Sequence, residues 1–175
     1  VTPITDIKVF RGDVILSTMG RGFWILDNIT ALRQKEINQL NNNAWLFKPD
    51  TTIRYRYPKV RSGQGIAQYP RTSVIIDYHL PTTKNNKVSL EILDRNNNSV
   101  VTILSGKSSV KEVENMNLSQ VFRYVDKRLS TKAGMNRYHW DLRQKGAWSN
   151  NKNRSYKGGP IVAPGMYTAK LTVNG

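Results

Sequence analysis

Three short β-type runs joined by two glycine turns fill the first 27 residues, and this feature limits the possible folds more than any other. The runs are ITDIKVF, DVILST and FWIL, and the turns lie at 11–13 and 19–22. Glycine supplies the positive φ that tight hairpin turns need. We therefore predict a three-stranded antiparallel meander over residues 1–27. Such a meander is marginal alone, so its apolar side chains need cover from other strands.

A different pattern begins at Asn28. Asn28 or Thr30 can cap a helix through ITALRQKEINQL, whose apolar residues form an imperfect stripe. AWLFKP then adds aromatic and apolar residues before Pro49 and Asp50 break the run. We interpret residues 28–50 as a helical linker.

From residue 51 onward the pattern is β-type. The predicted strands are TTIRYRY, SVIIDYHL, KVSLEILD, SVVTIL, NRYHWDL and MYTAKLTV, with turn signals between them. In the stretch AGMNRYHWDL we expect core bulk from Met135, Tyr138, Trp140 and Leu142. Strands at such intervals favour a sandwich of about seven strands. We predict an all-β chain whose third part, residues 51–175, is one β-sandwich domain.

Several of these stretches resemble a known family. "GRGFWILD" followed by "ITALR" resembles the closing blade of large bacterial β-propellers with BNR or sortilin-like repeats, which are glycosyl hydrolase-like proteins. "SVIIDYHLP", "AGMNRYHWDLR" and "GPIVAPGMYTAKLTVNG" resemble the immunoglobulin-like sandwich that follows such propellers, similar also to that of the flagellar hook-capping protein. The resemblance implies that residues 1–27 are a partial propeller blade, whose Phe23, Trp24 and Leu26 fill the layer between blades.

A set of residues carries these structural motifs. Asn136 and Asp141 are expected to bond turn backbone, and the positions from Tyr167 to Val173 alternate as in a half-buried strand. The motif residues are Gly20, Arg21, Gly22, Trp24, Asp27, Asn136, Trp140, Asp141, Pro164, Gly165 and Tyr167.

The charge of the chain is strongly positive and unevenly distributed. The net charge is +15, with six Lys and Arg against five Asp and Glu in residues 1–50, and 21 against seven in residues 51–175. Such a surface attracts polyanions, or it is simply a solvated basic surface. The chain has no cysteine, which excludes disulfides and thiolate metal sites. It has no apolar run of the roughly 18 residues that a membrane span requires.

Candidates for catalysis are few. The carboxylates Asp77, Glu91, Asp94 and Asp141 are not paired by any sequence pattern, and glycoside hydrolysis needs two such groups in different environments. The sialidase-type Ser-x-Asp-x-Gly-x-Thr-Trp hairpin is absent. His79 and His139 lie in apolar strands without a ligand cluster, which favours structural roles. We predict no catalytic residue, no metal site and no cofactor in this chain.

Two stretches mix aromatic and basic residues as ligand-binding surfaces do. Aromatic faces stack on sugars, and cations meet sulfates, carboxylates or phosphates. In the alternative interpretation the tyrosines pack inward and the charges are solvated. The candidate ligand-binding residues are Arg54, Tyr55, Arg56, Tyr57, Lys145, Trp148, Arg154 and Tyr156.

The functional hypothesis is a non-catalytic accessory module of a secreted, periplasmic or cell-surface bacterial propeller protein. The expected partners are the other propeller blades or another protein chain, and in addition a glycan or anionic polysaccharide. The chain carries no nucleic-acid recognition motif. Two alternatives stay open: the C-terminal piece of a sialidase-like propeller enzyme with its catalytic residues outside this chain, and adhesion to anionic polymers through the basic surface.

Overall fold

The computed structural model describes residues 2–40, 43–55, 72–81, 87–106, 128–146 and 159–175. This part of the chain consists mainly of antiparallel strands, which confirms the all-β fold class. The strands are β1 Ile4–Phe10, β2 Asp13–Thr18, β3 Gly22–Leu26, β4 Trp45–Leu46, β5 Val74–Leu80, β6 Val88–Leu93, β7 Ser99–Leu104, β8 Gly134–Trp140 and β9 Thr168–Val173. Within the same ranges, no helix has the length and apolar character needed to cross a membrane.

The first three strands form a sheet of their own in the order β1-β2-β3, as predicted. The first turn places Arg11 and Gly12 at φ 50° and 89°. Two consecutive left-handed residues define the type I′ turn, whose twist matches that of the flanking strands. In the second turn Gly20 and Gly22 take φ values of 88° and 70°. The glycines therefore fix both hairpins of the meander.

The other strands form two three-stranded antiparallel sheets, in the orders β4-β5-β8 and β7-β6-β9. Alternate side chains of β5, β6 and β8 point to one face, and these faces enclose a shared core. The core residues are Ile76, Tyr78, Leu80, Val88, Leu90, Ile92, Ile103, Leu129, Tyr138, Trp140, Leu142 and Val162. Among the described residues, no member of the meander belongs to this core. We call this sandwich-like part the body.

One predicted core residue lies on the wrong face. Tyr138, Trp140 and Leu142 are buried as expected, but Met135 is 44% exposed. Met135 is an odd-numbered position of β8, whereas the inward residues are even-numbered, so the alternation of the strand directs its side chain outward. The inward neighbour is Asn136, whose amide donates to the carbonyls of Lys132 and Gly134 at 2.8 and 2.9 Å.

The last strand follows its predicted pattern. Tyr167, Ala169, Leu171 and Val173 all pack against the core from one face of β9. The bend at Pro164-Gly165 precedes it, and the Tyr167 hydroxyl donates to the carbonyl of Ala163 at 2.7 Å across that bend. The Tyr167 ring meets the Trp140 ring edge to face, with centroids 5.6 Å apart. This aromatic pair holds β9 against β8 of the opposite sheet.

The strand predicted for TTIRYRY is not formed in its described part, residues 51–55. The amide of Thr51 donates to the Asp50 side chain at 2.7 Å, which starts an irregular connection directly after Pro49. Ile53 and Tyr55 are more than half exposed. The alternation of apolar residues here therefore does not mark a sheet strand.

Residues 28–40 form two short 3-10 helices, Ala31–Arg33 and Lys35–Gln39. Gln34 between them is extended, at φ −79° and ψ 135°, and so prevents one continuous helix. Its side-chain amide exchanges two hydrogen bonds with the Lys48 backbone, at 2.8 and 3.0 Å. Phe47 is almost fully buried, and its amide donates to the carbonyl of Asp77. These contacts attach the 28–50 segment to the edge of β5 that faces away from β8.

Candidate interaction surface

Only part of the predicted aromatic and basic surface lies in the described ranges. Arg54, Tyr55 and Lys145 are described. Arg56, Tyr57, Trp148, Arg154 and Tyr156 fall outside the described residues.

A short backbone ladder brings two of these predicted residues to one region. The ladder joins residues 142–145 to residues 159–162 through three hydrogen bonds of 2.8 to 3.0 Å. Arg54 donates from Nη1 to the carbonyl of Val162 at 2.8 Å at one end, and the amide of Lys145 donates to the carbonyl of Val100 at the other end. The contact of Arg54 is intramolecular, so this residue has a structural role whatever else it binds.

Arg143 adds a third cation to the ladder. Its Nη1 donates to the carbonyl of Gly159 at 3.0 Å, and its Nε lies 3.8 Å from a carboxylate oxygen of Asp141. Gly159 is required here, because a Cβ at that position would lie 2.5 Å from the carbonyl oxygen of Lys145. The ladder is therefore a tightly packed basic edge. Arg143 was not among the predicted binding residues, since nothing local distinguishes it from other surface arginines.

Three of the four candidate carboxylates accept hydrogen bonds within the fold, and the strand register places the fourth, Glu91, opposite a lysine. Asp77 pairs with Arg137, and Asp141 accepts the amide of Arg143. Asp94 closes the β6–β7 turn by accepting the amides of Asn96 and Asn98, and these bonds hold its pKa below the ordinary aspartate value. The expected contacts of Asn136 and Asp141 to turn backbone are both confirmed.

Glu91 lies directly opposite Lys170 on the neighbouring strand, where opposite charges stabilise a cross-strand pair.

The two histidines are held by neighbours within the body. His79 Nδ1 lies 3.0 Å from the carbonyl of Asn43, and His139 Nδ1 lies 3.2 Å from the Ser73 hydroxyl. Within the described part of the chain, no group of three potential metal-ligating side chains is found.

One face of the meander carries two complete rows of apolar residues. The register places Ile7, Leu16 and Trp24 in one row, and Val9, Val14 and Leu26 in the next. Directly opposed residues of antiparallel strands lie on the same face. We call these six residues the apolar face: Ile7, Val9, Val14, Leu16, Trp24 and Leu26.

The apolar face is exposed to solvent. Ile7 is 60% exposed and Trp24 57%, and only the β2 residues are half-buried. The opposite face is mixed, because Lys8, Ile15 and Ile25 share a row there and Phe23 is 77% exposed. Phe23, Trp24 and Leu26, which the resemblance expects between blades, thus make no contact that buries them.

The side chain of Arg137 joins the meander to the body. Arg137 lies opposite Asp77 in the β5–β8 register, and its Nε and Nη2 donate to the two carboxylate oxygens at 2.7 and 2.9 Å. Nη1 also donates to the carbonyl of Asp27 at 2.6 Å, and Nη2 to that of Asn28 at 2.7 Å. The hydrogen bond to Asp77 raises the pKa of Arg137 above its already high value. We call this arrangement the Arg137 clamp.

Sequence reasoning predicted that the apolar side chains of the meander need cover, but it did not assign the six residues of the apolar face, and it missed the Arg137 clamp. The face could have been found: a two-residue turn at Arg11 and Gly12 fixes the pairing of β1 with β2, so it aligns Val9 with Val14 and Ile7 with Leu16. The clamp could not, because 60 residues separate Asp77 from Arg137 and no local signal sets their register.

Comparisons with known proteins give no relative. No protein-family model matches the chain, and neither the curated proteins nor the solved structures contain a match.

Proposed function

We propose that this chain is a non-catalytic interaction module that docks a β-sheet partner on the apolar face of the meander. The carrying observation is the six-residue apolar face, four of whose members are about half or more exposed. Exposed apolar surface of this kind marks interaction sites, whereas scattered exposed residues do not. The body buries its own core, so the meander is the part that needs a partner.

The chemistry of the face defines the partner. An apolar sheet face is buried by a second layer that presents apolar side chains, and a second β-sheet meets this requirement. Residues 1–27 contain three Lys and Arg and three Asp and Glu, so the meander is neutral while the rest of the chain carries all of the excess charge. A partner therefore meets no net charge at the meander. Covering the six side chains stabilises the complex by on the order of 5 kcal/mol.

The resemblance described above supports a more specific version. The partner is then the rest of a bacterial BNR or sortilin-like propeller, for which the meander is part of the last blade, and the body is an immunoglobulin-like accessory domain. Such a protein is secreted, periplasmic or displayed on the cell surface. The exposed apolar face supports this proposal because a blade buries both faces against its neighbours.

The test supplies the partner in trans. The segment of the source polypeptide outside this chain is co-expressed with it, and co-purification is measured for three forms: the unchanged chain, the double variant Leu16→Lys/Trp24→Lys, and the control Thr102→Lys/Thr172→Lys on the outer face of the body. We expect the meander variant to lose about tenfold or more in affinity and the control to bind normally. Equal binding by both variants overturns the docking proposal, and a source polypeptide without further strands overturns its propeller version.

A glycosidase-like alternative locates the catalytic residues outside this chain. The structural contacts of Asp77, Asp94 and Asp141 support that location, because these carboxylates are held by neighbours within the fold. Turnover of sialosides or other glycosides by the full-length parent, and none by this chain, is the expected result. Turnover by this chain alone contradicts both forms of the proposal.

Adhesion to an anionic polymer is a second candidate, favoured by the basic edge at Arg54, Arg143 and Lys145. Binding of this kind weakens steeply as salt rises, because released counterions drive it. Retention on immobilised heparin is the measurement. Arg143→Gln/Lys145→Gln lowers the elution salt if the edge binds, and absent or salt-insensitive retention eliminates this candidate.

A further inference from the structure

We propose that Arg137 is a positioning residue that holds the meander at a fixed orientation to the body. It uses both carboxylate oxygens of Asp77 and two backbone carbonyls directly after β3. A guanidinium has five N–H donors in a rigid planar fork, and four of them make hydrogen bonds here, in two directions. Two of these bonds go to Asp77 in the body, and the other two go to the carbonyls of Asp27 and Asn28, directly after the last strand of the meander.

The body side of the clamp is rigid. Asp77 and Arg137 are directly paired on β5 and β8, and the side chain of Asp77 is 8% exposed while that of Arg137 is 30% exposed. A buried carboxylate is costly without a partner, so the Arg137 side chain is held in one place. The same two strands carry Tyr78 and Tyr138, which lie in the core. The guanidinium therefore lies on the outer face of a sheet whose inner face is well packed.

Other hydrogen bonds hold the segment on the meander side of the clamp in place as well. Asn28 adopts φ 52°, in the left-handed region that asparagine tolerates. Its amide donates to Asp13 at 2.8 Å, and its side-chain oxygen accepts the amide of Thr30 at 2.9 Å. The amide of Ile29 donates to the carbonyl of Gly12 at 2.8 Å. The two carbonyls that Arg137 holds thus belong to a segment tied to the β1–β2 turn, and not to a loose linker.

The consequence concerns docking. A meander on a loose linker loses orientational entropy when a partner covers it, whereas a meander held in place does not. The clamp therefore presents the apolar face and the neighbouring body as one surface. This use of the clamp rests on the proposed docking function, but the fixed orientation itself does not.

The experiment measures orientation without a partner. The chain has no cysteine, so Met19→Cys and Thr102→Cys give two unique spin-label sites, one on the meander and one on the body. Distance distributions between the labels are recorded by pulsed electron resonance. We expect a narrow distribution for the labelled chain and one about twofold wider or more after Arg137→Gln. Arg137→Lys, which keeps the charge and loses the fork, is expected to broaden it as well.

Arg143→Gln is the matched control. Arg143 also contacts an aspartate and a backbone carbonyl, but both belong to the body. We expect its distribution to stay narrow. A narrow distribution after Arg137→Gln, or equal broadening by Arg143→Gln, overturns the proposal.

A second measurement covers the case in which Arg137→Gln does not fold. In the unchanged chain, the Nη1–H of Arg137 that donates to the carbonyl of Asp27 should exchange with solvent at least about tenfold more slowly than the Nη1–H of Arg21, which lies in the exposed second turn. Equally fast exchange at neutral pH contradicts the clamp. The spin-label distances and the hydrogen exchange do not depend on whether a partner binds the apolar face. Both measurements therefore test the clamp even if the docking experiment fails.

Discussion

The strands of the meander and of the body share the same alternation of apolar residues, but these side chains are buried in the body and largely exposed in the meander. In the body, inward residues of β5 and β6 meet across two sheets, and Tyr78 and Leu90 are fully buried. In the meander, Ile7 and Trp24 occupy equivalent alternating positions and stay largely exposed, because no second sheet of the described chain faces them. Alternation therefore specifies a strand with an apolar side, and a separate layer decides whether that side is buried.

This difference also separates stability from interaction. The body contains the large buried side chains and every member of the main core cluster in the described ranges. The meander contributes two hairpins and one apolar face, and the Arg137 clamp links its exit to the body. Mutations in the two regions should accordingly differ in what they change.

The largest expected effect comes from a matched pair of leucine truncations. Leu90→Ala removes a fully buried side chain and leaves a cavity, so it should lower the free energy of unfolding by about 2–5 kcal/mol. Leu16 is half-buried on the apolar face, so Leu16→Ala should lower the free energy of unfolding of the isolated chain by less than about 1 kcal/mol. Urea denaturation monitored by tryptophan fluorescence measures both. Similar losses for the two variants contradict the division into a self-sufficient body and an uncovered meander.

Loss of the buried hydrogen bonds of Asn136 should give the next largest effect on stability. The buried amide of Asn136 donates two hydrogen bonds to the turn before β8. Asn136→Ala leaves the carbonyls of Lys132 and Gly134 without this donor and should lower the free energy of unfolding by about 1–3 kcal/mol. Asn96→Ala, in an exposed turn, is the control and should change stability much less. A small effect at Asn136 would show that the β8 turn is held by other contacts.

A turn of the meander should respond more weakly and locally. Gly12 has φ 89° and open space around it, so Gly12→Ala adds backbone strain without a clash. We expect a cost of about 1 kcal/mol, confined to the meander. Amide exchange should therefore speed up for β1 and β2 and stay unchanged for β5 and β6. Faster exchange throughout the body would show that the two parts unfold as one unit.

Much of this architecture could be predicted from the sequence, for local reasons. The two glycine turns fix the pairing of the three runs of the meander. Runs rich in β-branched and aliphatic residues mark β5, β6, β7 and β9. The prediction that Met135 lies in the core is wrong, because it rests on the apolar character of the residue and not on its position in the alternation. Residues 51–55 show the reverse error, since Ile53 and Tyr55 alternate without joining a sheet.

The candidate interaction surface was harder to predict, because it depends on long-range pairing. Arg54 contacts a carbonyl 108 residues away, and Arg137 contacts one 110 residues away. No periodicity carries such information. Composition indicates that basic and aromatic residues are frequent, but only the strand register of the structure shows that Arg137 lies opposite Asp77.

The smallest expected effect concerns the pH dependence of an exposed turn in the body. The bonds from Asn98 and Asn96 to the carboxylate hold the pKa of Asp94 below its ordinary value in the folded chain. A group whose pKa is lower in the folded state stabilises the fold above its unfolded pKa, and this contribution disappears as pH falls through the folded pKa. Asp94→Asn should therefore reduce stability slightly at neutral pH and flatten its fall below about pH 4. Carboxyl titration by nuclear magnetic resonance provides the check, and the aspartate of a short unstructured peptide with the sequence of residues 92–100 is the reference. An Asp94 that titrates at or above the aspartate of this peptide would show that the β6–β7 turn does not hold its charged form.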